Sequence, residues 1–155
     1  MQGQTKQDLE AITEAMEIMN IIELADRGMN ELSGGQRQRA WIATALAQQT
    51  DILFLDEPTT FLDINYQIEI LDLMADLNQR RHTTIVMVLH DINLAARYAD
   101  YLFAMKEGNL IAQGNPNDIV TEKLIKDVFG MKSRVISDPV SNSPYVIPIG
   151  RHFCQ

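Results

Sequence analysis

A single cysteine, Cys154, stands among 155 residues, so no internal disulfide can form and a reducing cytosol is the expected setting. The opening MQGQTKQDLE lacks the charged-then-apolar pattern of a secretory signal. No apolar run approaches the roughly 20 residues that a spanning helix needs, so any membrane role is expected to come through a partner. Basic residues are outnumbered: 13 Lys and Arg against 21 Asp and Glu leave a net charge of −8. Nucleic acid is thereby disfavoured as a partner, because phosphate binding needs a basic face that releases counterions. There is no G-x-S-x-G elbow, which leaves an α/β-hydrolase without support, and no internal repeat or low-complexity tract.

What is present suffices for one globular core, with 46% hydrophobic residues over a length that suits one domain better than two. The segment from Thr5 to Met19 reads as an amphipathic helix capped by Thr5, with Leu9, Ile12, Met16 and Met19 on one face. A short helical turn from Ile21 to Ala25 follows and leads to a glycine turn. From Trp41 onward helices alternate with strands. DILFLDEP and TTIVMVLHD are short apolar runs of the kind buried on both faces of a parallel sheet. Between them, Ile64 to Gln79 carries Ile68, Leu71, Met74 and Leu77 at helical spacing, the crossover a parallel pair requires. After a short helix near Asp91 to Tyr98, two strand-like runs flank Glu107, Gly108 and Asn109 as a hairpin. Asn115 caps a turn with Pro116 at its first position, and Thr121 and Gly130 bound one more helix. The last stretch, from Ser133 to Gln155, holds SRVI and YVIPI about a DPVSNSP turn. Most of the eight methionines fall at apolar periodic positions and read as core.

Two short stretches carry chemistry. In ELSGGQRQR, Ser33 can cap a helix that starts near Gln36, while Gly34 and Gly35 leave their N–H groups open to an anion at the positive helix end. Read alone, Ser-Gly-Gly is equally a tight loop with a good cap. In ILFLDEP, Asp56 and Glu57 follow a buried strand at the carboxyl edge of a sheet, where open α/β folds bind ligands. Two adjacent acids there can divide the work, one holding magnesium through water and the other polarising an attacking water. Read alone, they are solvated or cap the next helix. His90 ends the second buried strand, at the same sheet edge, or is a strand-end histidine bonded to backbone. Asp63 is on local grounds a helix N-cap. His82 and His152 read as surface or loop residues.

Taken together, LSGGQ and the ILFLDE strand end about twenty residues later resemble the signature motif and Walker B strand of ATP-binding cassette ATPases. From about Ile18 to Arg151 the chain is similar to the latter half of the branch of that family that powers bacterial ferric-siderophore import. TTIVMVLHDINLAARYADYLFAMKEGNLIAQG and VISDPVSNSPYVIPIGRH carry that finer likeness. The resemblance implies an α/β fold, a partial P-loop NTPase core with parallel strands. It places a helical-subdomain portion and the signature helix in 1–48, a catalytic-core portion in 49–132 and a small β appendage in 133–155. ATP and Mg2+ are the implied cofactors. The resemblance makes Ser33, Gly34, Gly35, Gln36 and Asp63 nucleotide-contacting, Asp56 metal-side, Glu57 the base and His90 the switch histidine. Implied partners are membrane permease subunits and a second ATPase subunit, which place the protein at the cytoplasmic face of the cell membrane.

The chain departs from this family in one large respect. It has no G-x-x-x-x-G-K-[ST], the cradle for the β- and γ-phosphates, and the adenine-stacking aromatic and glutamine loop are missing too. The expectation is therefore an isolated chain with negligible ATPase activity, open apolar strand edges and self-association. A fragment of a longer coding sequence is the expected origin. The alternative is a non-catalytic, signature-bearing interaction module that pairs with a complete ATPase.

Overall fold

Thr5 opens the first helix by a reciprocal cap. Its hydroxyl accepts from the Asp8 N–H at 3.2 Å, and the Asp8 carboxylate accepts from the Thr5 N–H at 2.8 Å. The computed structural model describes residues 5–150, which form two compact units divided between Leu89 and His90. Cys154 and His152 lie outside the described residues.

In the first unit, helix α1 (Lys6–Ile18) is followed by two 3₁₀ turns (Ile22–Leu24 and Met29–Glu31) and helix α2 (Gly34–Leu46). Strand β1 (Ile52–Asp56) then leads through helix α3 (Ile64–Arg81) to strand β2 (Thr84–Val88). The strands pair in parallel, Phe54 opposite Val86 and Asp56 opposite Val88, so α3 is the crossover that parallel strands require. Helix α3 ends where His82 takes a left-handed conformation (φ 54°) and its N–H donates to the Asn78 carbonyl at 2.8 Å. The core of this unit gathers Met19, Leu24, Leu32, Ile42, Ile70 and Met74, one stripe from each helix and turn. Arg81 pairs with Glu14 and ties the end of α3 to α1.

The second unit begins with helix α4 (Ile92–Tyr98), capped by Asp91, whose carboxylate accepts from the Asn93 and Leu94 N–H groups. Strands β3 (Leu102–Lys106) and β4 (Asn109–Gly114) form an antiparallel hairpin. Its two-residue loop, Glu107 and Gly108, has φ of 49° and 78°, the pair of positive values that matches the twist of tight hairpins. Helices α5 (Pro116–Ile119) and α6 (Glu122–Phe129) follow, capped by Asn115 and Thr121, and Gly130 closes α6 at φ 70°. A final antiparallel hairpin pairs β5 (Ser133–Ser137) with β6 (Pro144–Pro148). Ala96, Val120, Ile125 and Val146 make the core of this second unit.

Three expectations are corrected. The parallel pair is buried on one face only: Leu53 is buried, and Leu55, Ile85 and Met87 are partly so, while Ile52, Phe54, Val86 and Val88 are exposed, Phe54 at 72%. Among the described residues one helical layer covers this sheet, so alternate side chains of each strand face solvent. Leu9 is 50% exposed, because α1 buries the stripe through Ala11, Ala15 and Met19. Helix α2 begins at Gly34, two residues before the expected start, since the Ser33 cap sets the helix running at once. Most of the described methionines pack as expected: Met19 and Met74 are buried and Met16, Met87 and Met131 pack against the two cores, while Met29 and Met105 are exposed.

Candidate functional site

The glycine turn owes its shape to a second reciprocal cap. The Ser33 hydroxyl accepts from the Gln36 N–H at 3.3 Å, and the Gln36 side-chain oxygen accepts from the Ser33 N–H at 3.0 Å. Leu32 is buried beneath it, and an Arg37 guanidinium N–H donates to the Leu32 carbonyl at 3.2 Å. The two glycines differ in kind. An added Cβ on Gly34 would meet nothing within 4 Å, whereas one on Gly35 would lie 3.0 Å from Tyr66 Cδ1. Gly34 therefore faces open space at the positive end of a 13-residue helix, where an anion gains from both the unpaired N–H groups and the helix dipole.

Asp56 is the last residue of β1, and its carboxylate is exposed. Glu57 follows at φ 49°, a left-handed conformation that costs a residue with a Cβ of order 1–3 kcal/mol and is held only where neighbours over-determine it. Pro58 is fully buried next in sequence, and the Thr60 hydroxyl donates to Glu57 Oε2 at 2.9 Å. The carboxylate is thus aimed by its own turn. Asp63 caps α3, its Oδ1 accepting from the Tyr66 N–H at 3.2 Å, and between the two acids Phe61 (φ 63°) projects wholly into solvent. His90 is exposed and opens the second unit, one residue ahead of the α4 cap.

A magnesium ion keeps several waters and needs only one or two carboxylates beside phosphate oxygens. Asp56, exposed at the end of β1, offers one carboxylate of the kind such an ion needs, and among the described residues no group of three His, Cys, Asp or Glu side chains gathers to cage a metal. No helix among the described residues is long and apolar enough to cross a membrane. Sequence reasoning missed Thr60 and Tyr66. Thr60 was legible as a hydroxyl three residues after Glu57, but nothing local marks Tyr66 as the residue that covers Gly35, 31 positions earlier in the chain.

The family model described as ABC transporter matches residues 2–60. The chain is 52% identical over 146 residues to the ferric enterobactin transport ATP-binding protein FepC of Escherichia coli, covering 94% of this chain and 54% of FepC. It is 51% identical over 150 residues to the probable siderophore transport system ATP-binding protein YusV of Bacillus subtilis, covering 97% of this chain and 54% of that one. Among solved structures it resembles a chain of an inward-facing transporter assigned to the metal-chelate ABC type. The TM-score there is 0.86 at 28% identity, over 96% of this chain and 60% of that one. It also resembles cbiO1 of Clostridium perfringens, part of the transporter complex cbiONQ, with a TM-score of 0.71 at 34% identity over 82% of this chain and 51% of that one. The chain spans about half the length of the curated relatives it matches.

Proposed function

This chain belongs to the ATP-binding subunits of ABC transporters and forms part of such a domain, and from that premise we propose that it supplies the signature half of an ATPase site driving ferric-siderophore import. The observation that carries the proposal is the open Gly34 at the capped head of α2, in one unit with the Asp56 and Glu57 strand end on a parallel pair.

In this reading Gly34 and Gly35 present N–H groups, and Ser33 its hydroxyl, to the terminal phosphate of a nucleotide held chiefly by another segment, while Gln36 lies against the same phosphate and holds the turn through its cap to Ser33. Magnesium, when bound, neutralises charge on the phosphate oxygens. Asp56 would hold it through water. Glu57, aimed by Thr60, takes the proton of the attacking water, and His90 hydrogen-bonds the terminal phosphate. Asp63 reaches toward a second ATPase subunit while its carboxylate caps α3. Residues 1–48 are the helical portion, 49–132 the catalytic-core portion and 133–155 the tail. Permease subunits hold the assembly at the inner face of the cell membrane. The siderophore cargo rests on the relatives FepC and YusV, whose names state it.

The chain by itself has no phosphate loop, so calorimetry of the chain alone with magnesium-ATP is expected to be silent. Adding in trans the segment of FepC that this chain does not match should restore binding and hydrolysis. Tight binding by the chain alone would refute an incomplete site. The exposed apolar face of the β1–β2 pair predicts self-association, and a clean monomer by light scattering at micromolar concentration would count against it.

A further inference from the structure

Gly35 is buried and Gly34 is exposed, although they are neighbours in one turn. The difference is the Tyr66 ring, which lies over Gly35 so closely that a Cβ there would sit 3.0 Å from Cδ1, 3.2 Å from Cγ and 3.3 Å from Cε1. Contacts that short are below ordinary van der Waals separation, so the ring and the glycine backbone fit only because position 35 has no side chain. Tyr66 also belongs to the first turn of α3, where its N–H is held by the Asp63 carboxylate at 3.2 Å. One turn further along both helices, Arg39 of α2 pairs with Glu69 of α3, so the seam continues at the i, i+4 spacing on one helix and i, i+3 on the other.

The geometry points to Tyr66 as a positioning residue for the glycine turn. Its ring fixes how far the open N–H groups of α2 stand from the Asp63-capped head of α3, and makes the two nucleotide-facing elements of this unit one rigid piece. This rests on the proposed function for the meaning of that placement, and on the packing alone for the placement itself. The three atoms nearest a Cβ at position 35 are all Tyr66 ring carbons, so the role is assigned to the ring and not to the hydroxyl. The turn therefore divides its glycines by role: Gly34 keeps the approach to an anion open, and Gly35 admits the ring.

The test is amide chemical shifts of Gly34, Gly35 and Asp63 in the full chain, with Tyr66→Phe, Tyr66→Ala, Gly35→Ala and the Gly35→Ala, Tyr66→Ala double variant. Tyr66→Phe should leave all three amides in place. Tyr66→Ala and Gly35→Ala should each move them, and the double variant should move them less than the sum, because removing the ring makes room for the new methyl. In the assembly completed with the unmatched FepC segment, Tyr66→Ala should lower kcat about 10- to 100-fold and Tyr66→Phe by less than about twofold, as misplacement near 1 Å does elsewhere. Unmoved Gly34 and Gly35 amides in Tyr66→Ala, or additive shifts in the double variant, would overturn the positioning role, as would an unchanged kcat. A silent wild-type assembly would instead refute the proposed function, and the amide shifts would still decide the packing claim.

Discussion

Replacing Asn93 with alanine should loosen the second unit by about 2–4 kcal/mol. The Asn93 amide is used as a substitute peptide group: its Nδ2 donates to the Val146 carbonyl at 3.1 Å, and its Oδ1 accepts from the Val146 N–H at 2.7 Å. Val146 is 2% exposed, so truncation strands one donor and one acceptor away from water. Each unsatisfied buried group costs roughly 1–3 kcal/mol, and entry of water moves the sum toward the lower end. Apolar area is a minor part of the loss, because the atoms removed are mostly polar. The assay is native-state hydrogen exchange at the Val146 amide together with a denaturant curve. Asn93→Asp sharpens it. The carboxylate keeps the acceptor for the Val146 N–H but sets a second oxygen against the Val146 carbonyl, which favours the protonated acid and raises its folded pKa. Its stabilising contribution is then full below the unfolded value of about 3.9 and lost as pH rises through the folded pKa. Wild-type protection of Val146 in Asn93→Ala, with an unchanged midpoint, would refute the reasoning.

Ser33→Ala removes the cap of α2 and should cost about 1 kcal/mol, read as a lower denaturant midpoint with an unchanged slope. The Val140 N–H holds the Asp138 carboxyl below its usual value of 3.8, assisted by Ser141 and by Arg97 at 3.3 Å. Its contribution is therefore present above the unfolded value and lost as pH falls through the folded one; a carboxyl-carbon NMR titration should show the depressed midpoint, and Asp138→Asn should flatten the acid limb of stability. In the completed assembly, Glu57→Gln should keep nucleotide binding and lower the hydrolysis rate about 10²- to 10⁴-fold; a retained rate would remove Glu57 from the role of base.

Much of the local architecture was legible because it depends on neighbours a few residues apart. Thr5, Ser33, Asp63, Asn115 and Thr121 each accept from an N–H two or three positions on, as the residue types and the apolar periodicity that follows them predict. The crossover helix, the parallel pair and both hairpins follow from the same short-range signals. The acid pair was legible as chemistry, but the left-handed backbone of Glu57 was not, since glutamate has no preference for it and the buried Pro58 and the Thr60 bond impose it.

By itself, then, the sequence determined which segments are helix or strand and which motifs head them, for these rest on hydrogen bonds and periodicities spanning one or two turns. Only the tertiary structure decided which face of each element is buried: Leu9 lies off the stripe of α1, and Phe54 and Val86 face solvent because a helical layer covers one side of the sheet. It alone decided that Tyr66 covers Gly35 and that Asn93 pairs with Val146, 53 residues away. Such contacts carry no local periodicity; they form when burial brings distant polar and aromatic groups together, and each must then find its partner there.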